Sequence, residues 1–258
     1  MEQIQTRYIV QATWDDAPHL TEKQKAELWA SIPPYQRDAR SKGIPMIGSG
    51  AIYPVADEDI EIDDFPIPSH WPRAYALDVG WSATAAIWGA YDAESDCVYF
   101  YSEYKRGEKE PAVHAAAIKG RGEWMAGVID PSSRGRGTKD GDRLFYIYRD
   151  QLELDIHKAN TAIEAGLTEV WLRMSSGRLK VFKSLRNTMA EKRIYRRDEK
   201  GNIVKKFDHL MDCIKYWCMT VLQGGLAISP LEIAEQEEWD QESRGVFRQT
   251  GRNRTTGY

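Results

Sequence analysis

The chain has 258 residues, 42% of them hydrophobic and 11% aromatic, which is typical of a globular protein that can bury a substantial core. The chain has three cysteines and no Cys-x-x-Cys pair, which argues against a disulfide framework. It contains no run of about 18 apolar residues that could span a bilayer, so we expect a soluble intracellular protein. The net charge of −4 provides no general argument for a nucleic-acid partner.

Composition divides the chain into three parts. Residues 1–70 are predicted to be an accessory or linker segment, because Pro and Gly interrupt them and they end in an acidic connector. Residues 71–230 have the pattern of a compact α/β domain. Residues 231–258 are polar with few apolar anchors, and we expect them to form a flexible tail.

The central part begins with three strand candidates, residues 74–82, 84–92 and 97–106, which short turn-like links join into a predicted antiparallel meander. A helix beginning at Pro111 and a short buried strand follow, and then helices and strands alternate. The last helix begins near residue 208. A meander followed by alternating strands and helices predicts a mixed central β-sheet flanked by helices.

Two aspartates lie at the ends of apolar strand candidates. Asp78 ends the run "AYALD" shortly before Gly80, and Asp130 ends "MAGVID" before Pro131. A carboxylate in a buried strand is costly unless it is paired, hydrogen-bonded or bound to a cation. Strand ends beside turns are where α/β sheets expose ligand-binding groups, although Asp130 could equally well start only a turn.

The last helix carries further acidic residues in its first turns. Asp208 could be its N-cap, and on a helical wheel Asp208, Asp212 and Lys215 form one stripe opposite an apolar one. A solvated acidic stripe by itself needs no function. Together with the two strand-end aspartates, however, these carboxylates predict a site for two divalent cations, Mg²⁺ or Mn²⁺, which suits phosphodiester hydrolysis.

Basic residues are concentrated near these acidic positions. Residues 172–206 contain twelve Lys or Arg and three acidic residues, which predicts a basic surface that attracts phosphates. A basic hairpin is expected around residues 198–201, and ordinary solvated surface charge is the alternative for any single side chain. The candidate DNA-binding residues are Arg134, Arg136, Lys139, Lys192, Arg193, Arg196, Arg197, Lys205 and Lys206.

Four segments, in this order along the chain, resemble the C-terminal nuclease domain of the large terminase subunit of tailed bacteriophages. Residues 13–54 resemble the segment that joins the terminase ATPase domain to its nuclease. "ALDVGWS", "GVIDPSS" and "YRRDEKGNIVKKFDHLMDCIKYW" resemble the acidic motifs, with Cys213 and Lys215 where Ala and Arg are common. The resemblance covers nearly the whole chain.

The resemblance implies an RNase H-like fold and endonucleolytic cleavage of concatemeric viral DNA during genome packaging. It places Asp78, Asp130 and Asp208 in an acidic cluster that binds two divalent ions, Mg²⁺ or Mn²⁺, and leaves open whether Asp208 or Asp212 is the main third ligand. His209 would then be a hydrogen-bonding neighbour of the site or a proton carrier, or simply a partly solvated histidine.

The resemblance also implies partners: double-stranded DNA, the portal protein, the small terminase subunit and an ATPase domain of the same large subunit, all in the cytoplasm of the infected bacterium. The chain lacks the GxxxxGK[ST] loop of packaging ATPases, so we expect it to be the nuclease part of a longer protein. The alternatives are a junction-resolvase or transposase-like nuclease on the same fold, and a non-catalytic module that docks on the portal.

Overall fold

The computed structural model describes residues 12–31, 41, 50–130, 144–198, 201–236 and 238–239. The chain divides into two compact units. The smaller contains the described residues up to Pro54 together with Arg196–Val204, and the larger contains Val55–Tyr195 and the described residues from Lys205 onward.

The smaller unit contains a 3-10 turn at Trp14–Asp16 and helix α1 at Glu22–Ser31. Thr21 and Gln24 form a reciprocal capping box at the start of α1. Arg197 and Ile203 form an antiparallel bridge, as expected for the two arms of the predicted hairpin, and residues 199 and 200 between them lie outside the described residues.

Among the described residues of the larger unit, seven strands form one mixed sheet in the order β1-β7-β4-β3-β2-β5-β6. The strands are β1 Glu61–Ile62, β2 Arg73–Asp78, β3 Thr84–Asp92, β4 Cys97–Arg106, β5 Gly127–Ile129, β6 Ile156–Lys158 and β7 Leu179–Phe182. The helices are α2 Asp57–Ile60, α3 Pro111–Lys119, α4 Ile163–Ser175, α5 Arg186–Ile194 and α6 His209–Tyr216, and π-helical turns occur at Ile147–Gln151 and Trp217–Leu222.

The sheet has the predicted arrangement. Strands β2, β3 and β4 form the antiparallel meander, β5 and β6 extend it in parallel on one side, and β7 and β1 do so on the other. The central strands are apolar along nearly their whole length because helices cover both faces of the sheet.

Side-chain alternation along β2 decides which residues face which layer. Tyr75 and Leu77 belong to a core cluster that also contains Ile118 of α3, so Ala74, Ala76 and Asp78 face the opposite layer. Helix α6 packs on that opposite layer, against β2 and β3. The last residue of β2 therefore points towards the helix that carries the other acidic motif.

A glycine allows the helical segment after α6 to lie close to the sheet. The indole of Trp217 covers Gly89 of β3 so closely that a Cβ atom there would lie 2.8 Å from the ring. The Trp217 Nε1 atom donates a hydrogen bond to the Ala74 carbonyl at 3.1 Å. This contact fixes the distance between α6 and β2, and with it the position of the helix-borne carboxylates.

The structure differs from the sequence-based outline in two regions. The basic segment contains strand β7 and helix α5, which the sequence analysis missed, and the acidic connector contains α2 and the edge strand β1. The larger unit consequently begins at Val55, before the expected start at residue 71. Both regions were missed because their charged residues obscure the apolar pattern that otherwise indicates a buried element.

The C-terminal part of the described chain also differs. Residues 230–236 are helical, and Ser229 and Glu232 form a capping box at their start, where a flexible tail was expected. None of the helices in the described part of the chain combines the length and the apolar character that a bilayer crossing requires.

Candidate active site

The two strand-end aspartates are brought together by parallel pairing. Strands β2 and β5 pair Leu77 with Ile129, so Asp78 and Asp130, the next residues of each segment, emerge side by side at one edge of the sheet. The Asp130 N–H donates to the Leu77 carbonyl at 3.4 Å, which continues this register by one position. The carboxyl ends of neighbouring parallel strands are the usual place for ligand-binding groups in such sheets.

Helix α6 supplies the other two carboxylates. Asp208 and Asp212 line the same cavity, of about 480 Å³, as Asp78 and Asp130. Hereafter these four residues are called the acidic cluster. The acidic stripe of the helix is buried and faces this cavity, in contrast to the solvated stripe that a surface helix would present.

A short hydrogen bond joins the two faces of the cavity. His209 Nδ1 donates to Asp78 Oδ2 at 2.7 Å, and this bond raises the pKa of His209 above its usual value. Burial raises the pKa of Asp78; the bond from His209 opposes the increase, and the negative charges of Asp212 and Asp130 add to it. Burial and the two neighbouring carboxylates thus make the ionised form of Asp78 costly, and the bond from His209 offsets part of that cost.

Asp212 and Asp130 each have a close partner on α6. The Lys215 ammonium lies 2.6 Å from Asp212 Oδ1, and both side chains are buried. The Lys215 chain runs past Gly166 of α4, where a Cβ atom would lie 2.4 Å from it. The Tyr216 hydroxyl donates to Asp130 Oδ2 at 3.1 Å.

The environment of Tyr216 keeps its hydroxyl protonated. Burial raises the pKa of this tyrosine, and the charges of Asp212, Asp78 and Asp130 raise it further. A neutral phenol can donate a hydrogen bond to Asp130, as the observed geometry requires.

Asp208 differs from the other three members. It occupies the N-cap position of α6, yet its side chain makes no capping hydrogen bond there. Its Oδ2 atom is buried and has no hydrogen-bond partner among the described residues, and the Lys205 ammonium lies 4.0 Å away. A buried carboxylate oxygen without a partner is costly and calls for a cation or a donor.

Comparisons of the sequence with known proteins identify phage terminase large subunits. No protein-family model matches the chain. The terminase large subunits of Enterobacteria phage LP7 and Salmonella phage P22 are each 31% identical to it, over 224 and 220 residues. These matches cover 83% and 82% of this chain but 47% and 44% of the relatives, so the chain spans less than half the length of the curated proteins it matches.

Solved structures agree with the sequence matches. The nuclease domain of the P22 large terminase is 27% identical, with a TM-score of 0.65, and the match covers 72% of this chain and 98% of that domain. The chain belongs to the phage terminase large-subunit family. The predicted RNase H-like fold is thereby confirmed, and the large terminase of a thermophilic bacteriophage, 18% identical with a TM-score of 0.59 over 81% of this chain and 54% of that one, shares the fold.

The basic residues that the sequence analysis predicted to contact DNA do not all lie in the same surroundings in this protein. Lys205 lines the cavity and Lys206 beside it is exposed. Arg196 and Arg197 lie in the hairpin of the smaller unit, where Arg196 is exposed and Arg197 Nη1 donates to the Gly201 carbonyl. The three loop residues Arg134, Arg136 and Lys139 lie outside the described residues.

The prediction that Lys192 and Arg193 bind DNA is not supported by their positions. Both lie on α5 and not on a hairpin, and Lys192 is only 6% exposed. The Lys192 ammonium and the Arg193 guanidinium both pair with Asp57, at 2.8 and 2.6 Å. A cation that is buried or already paired offers little to a phosphate, so these two residues hold α2 in place instead.

The sequence analysis also missed several residues around the cavity. Trp81, which follows the apolar run that contains Asp78, is 68% exposed and lines the cavity. Its turn is fixed by two hydrogen bonds, from Thr84 Oγ1 to the Gly80 carbonyl and from the Glu108 N–H to the Trp81 carbonyl. The Gly-Trp-Ser turn directly after Asp78 was the available sequence signal.

The described part of the chain contains no group of three or more Asp, Glu, His or Cys side chains in an arrangement that would hold a metal ion as it stands. The carboxylates are engaged instead by His209, Lys215 and Tyr216. Two observations nevertheless fit divalent cations: the buried Asp208 oxygen has no hydrogen-bond partner among the described residues, and the charges of Asp212 and Asp130 disfavour the ionised form of Asp78.

Proposed function

We propose that this chain is a metal-dependent DNA endonuclease that cleaves concatemeric double-stranded viral DNA during phage genome packaging. The observation that carries the proposal is the convergence of four carboxylates, two from strand ends and two from α6, on one cavity of a terminase relative. The matched domain of phage P22 is a nuclease domain, and that activity is transferred here as a proposal.

Asp78, Asp130 and Asp208 would hold two divalent ions, Mg²⁺ or Mn²⁺, and Asp212 would orient Lys215 beside them. When bound, such ions supply an activated water and stabilise the oxygen that leaves the phosphodiester. The chain's own residues maintain the arrangement: His209 holds the Asp78 carboxylate and Tyr216 holds that of Asp130.

The DNA backbone would be held by lysines beside the cavity. Lys205 lines the cavity and Lys206 is exposed next to it, and Arg134, Arg136, Lys139, Arg196 and Arg197 remain predicted contacts. Contacts of this kind bind phosphates and carry little sequence information, so we expect cleavage with weak sequence preference.

The direct test uses the 258-residue chain with supercoiled plasmid. We expect nicking and linearisation with Mn²⁺ or Mg²⁺ and none after chelation with EDTA. Persistence of full cleavage in EDTA would overturn the two-metal proposal. A strong preference for four-way junctions over linear duplex would instead support the resolvase-like alternative.

The other members of the packaging assembly are part of the proposal. An ATPase domain of the same subunit is expected because the curated relatives are about twice as long as the matched region. The portal protein and the small terminase subunit are proposed partners, and the infected bacterial cytoplasm is the proposed location. Tight portal binding without cleavage under any metal would favour the docking alternative.

A further inference from the structure

The N-terminus of α6 is capped by a residue from another helix. Glu191, near the end of α5, accepts a hydrogen bond from the Leu210 N–H through its Oε2 atom at 2.6 Å. Leu210 is the second residue of α6, and its N–H is one that an N-cap side chain ordinarily satisfies. The residue at the N-cap position itself, Asp208, makes no such bond.

Glu191 is itself firmly held. Its side chain is buried, and its second oxygen, Oε1, lies 2.5 Å from the Lys105 ammonium of β4. A buried carboxylate is tolerated when each oxygen has a strong partner, and here one partner is a cation and the other is a helix N-terminus. Glu191 therefore ties α5, β4 and α6 together at the first turn of α6.

This arrangement changes what Asp208 can do. An aspartate at an N-cap usually bends back to accept a hydrogen bond from the second or third residue of its helix. Glu191 already occupies the Leu210 N–H, and the Asp208 side chain makes no capping bond to α6. The Asp208 carboxylate lines the cavity instead, and its Oδ2 atom is buried without a hydrogen-bond partner among the described residues.

We propose that Glu191 is a positioning residue that, by capping α6 from α5, releases Asp208 from capping and holds it as a ligand for a divalent cation. The role of Asp208 as a ligand rests on the proposed function, whereas the release from capping does not. Replacement of a residue that orients a metal ligand typically lowers metal affinity by about 10- to 100-fold.

The structure offers a matched control. Glu103 of β4 caps α5 just as Glu191 caps α6: its two oxygens accept hydrogen bonds from the Asn187 and Thr188 N–H groups at 2.9 and 2.8 Å. Glu103→Ala removes a helix cap of the same type without touching α6. Both Ala variants should lower the thermal unfolding midpoint, so stability alone does not separate positioning from packing.

The first measurement is Mn²⁺ binding by isothermal titration calorimetry. We expect Glu191→Ala to weaken binding by about tenfold or more and Glu103→Ala by less than about twofold. Glu191→Gln should restore most of the affinity, since its amide oxygen can still accept the Leu210 N–H. Equal losses in the two Ala variants, or wild-type affinity in Glu191→Ala, would overturn the proposal.

The second measurement needs no metal and separates this proposal from the proposed function. In a metal-free crystal structure of Glu191→Ala, the Asp208 carboxylate should turn back to accept the Leu210 or Met211 N–H. An Asp208 side chain that still lines the cavity would overturn the release from capping. If wild-type protein binds no Mn²⁺ but Asp208 turns in the variant, the metal proposal fails and the capping proposal stands.

If Glu191→Ala does not fold, Glu191→Gln decides: Asp208 must keep its wild-type orientation there, and any turn would contradict the proposal.

Discussion

Two regions of this protein are rich in carboxylates, and their surroundings are opposite. In the acidic segment 56–64, Asp57 pairs with Lys192 and Arg193, and Asp63 pairs with Lys183. Burial alone would raise the pKa of Asp57, but the hydrogen bonds from its two basic partners outweigh that effect and lower it.

In the acidic cluster Asp212 pairs with Lys215, but among the described residues the Asp78 side chain is bonded only by the His209 imidazole, and the nearest ammonium to Asp208 Oδ2, that of Lys205, lies 4.0 Å away. Burial raises the pKa of Asp78, and neighbouring carboxylates add to the increase. Two basic residues of α5 neutralise Asp57 and so hold α2 in place, whereas Asp78 and Asp208 have no Lys or Arg within hydrogen-bonding distance among the described residues and mark the candidate site. The same type of side chain is structural in one region and is proposed to act chemically in the other, because its neighbours differ.

The largest expected difference between the regions is in catalysis. Asp78→Asn should lower the rate of plasmid cleavage by about a hundredfold or more, because it removes a proposed metal ligand worth several kcal/mol of transition-state stabilisation. Asp63→Asn, in the paired region, is the control and should cleave at the wild-type rate. Gel-based cleavage assays with Mn²⁺ measure both, and wild-type activity in Asp78→Asn would contradict the assignment.

The second prediction concerns stability in the paired region. Asp57→Asn should destabilise the protein by about 2 kcal/mol at pH 7, because it leaves the buried Lys192 ammonium without its anion. The pKa of Asp57 is lower in the folded chain than in the unfolded one, so its contribution is complete above the ordinary carboxyl pKa of about 4 and is lost as the pH falls through the folded value. Urea unfolding at neutral and acidic pH should show the variant and wild type converging in acid, and a constant difference would refute the pairing.

A smaller effect is expected at the entrance of the cavity. Trp81→Ala should weaken binding of single-stranded or frayed DNA by about tenfold, because an exposed indole beside the acidic cluster can stack on a base or sugar. Trp239→Ala is the matched control, since Trp239 is also 68% exposed but does not line this cavity. Fluorescence anisotropy with labelled oligonucleotides compares them, and equal affinities would remove Trp81 from the binding surface.

The smallest effect distinguishes free from paired basic residues. Lys206→Ala should weaken DNA binding by about two- to threefold at low salt and lower the slope of log affinity against log salt by about 1. Arg193→Ala should leave that slope unchanged, because Asp57 already neutralises the guanidinium. Equal salt slopes for Lys206→Ala and Arg193→Ala would contradict the proposed difference between exposed and paired basic residues.

Much of the central sheet could be predicted because its signals are local. The strand candidates 84–92 and 97–106 coincide with β3 and β4, and the apolar runs before Asp78 and Asp130 end where β2 and β5 end. Strand β7 could not be predicted in the same way. Lys180 within the strand and Lys183 directly after it bind Asp59 and Asp63, about 120 residues earlier in the chain, and these contacts are not visible in the local pattern.

The sequence by itself predicted the candidate site residues: aspartates at two strand ends and at the start of one amphipathic helix, in an order typical of phage terminases. The tertiary structure decided which charges remain under-compensated and which residue caps α6. Sequence favoured Asp208 for the cap, since capping preferences are local, but Glu191 takes that place because folding brings α5 against α6. Such choices depend on contacts between distant segments, which no local pattern encodes.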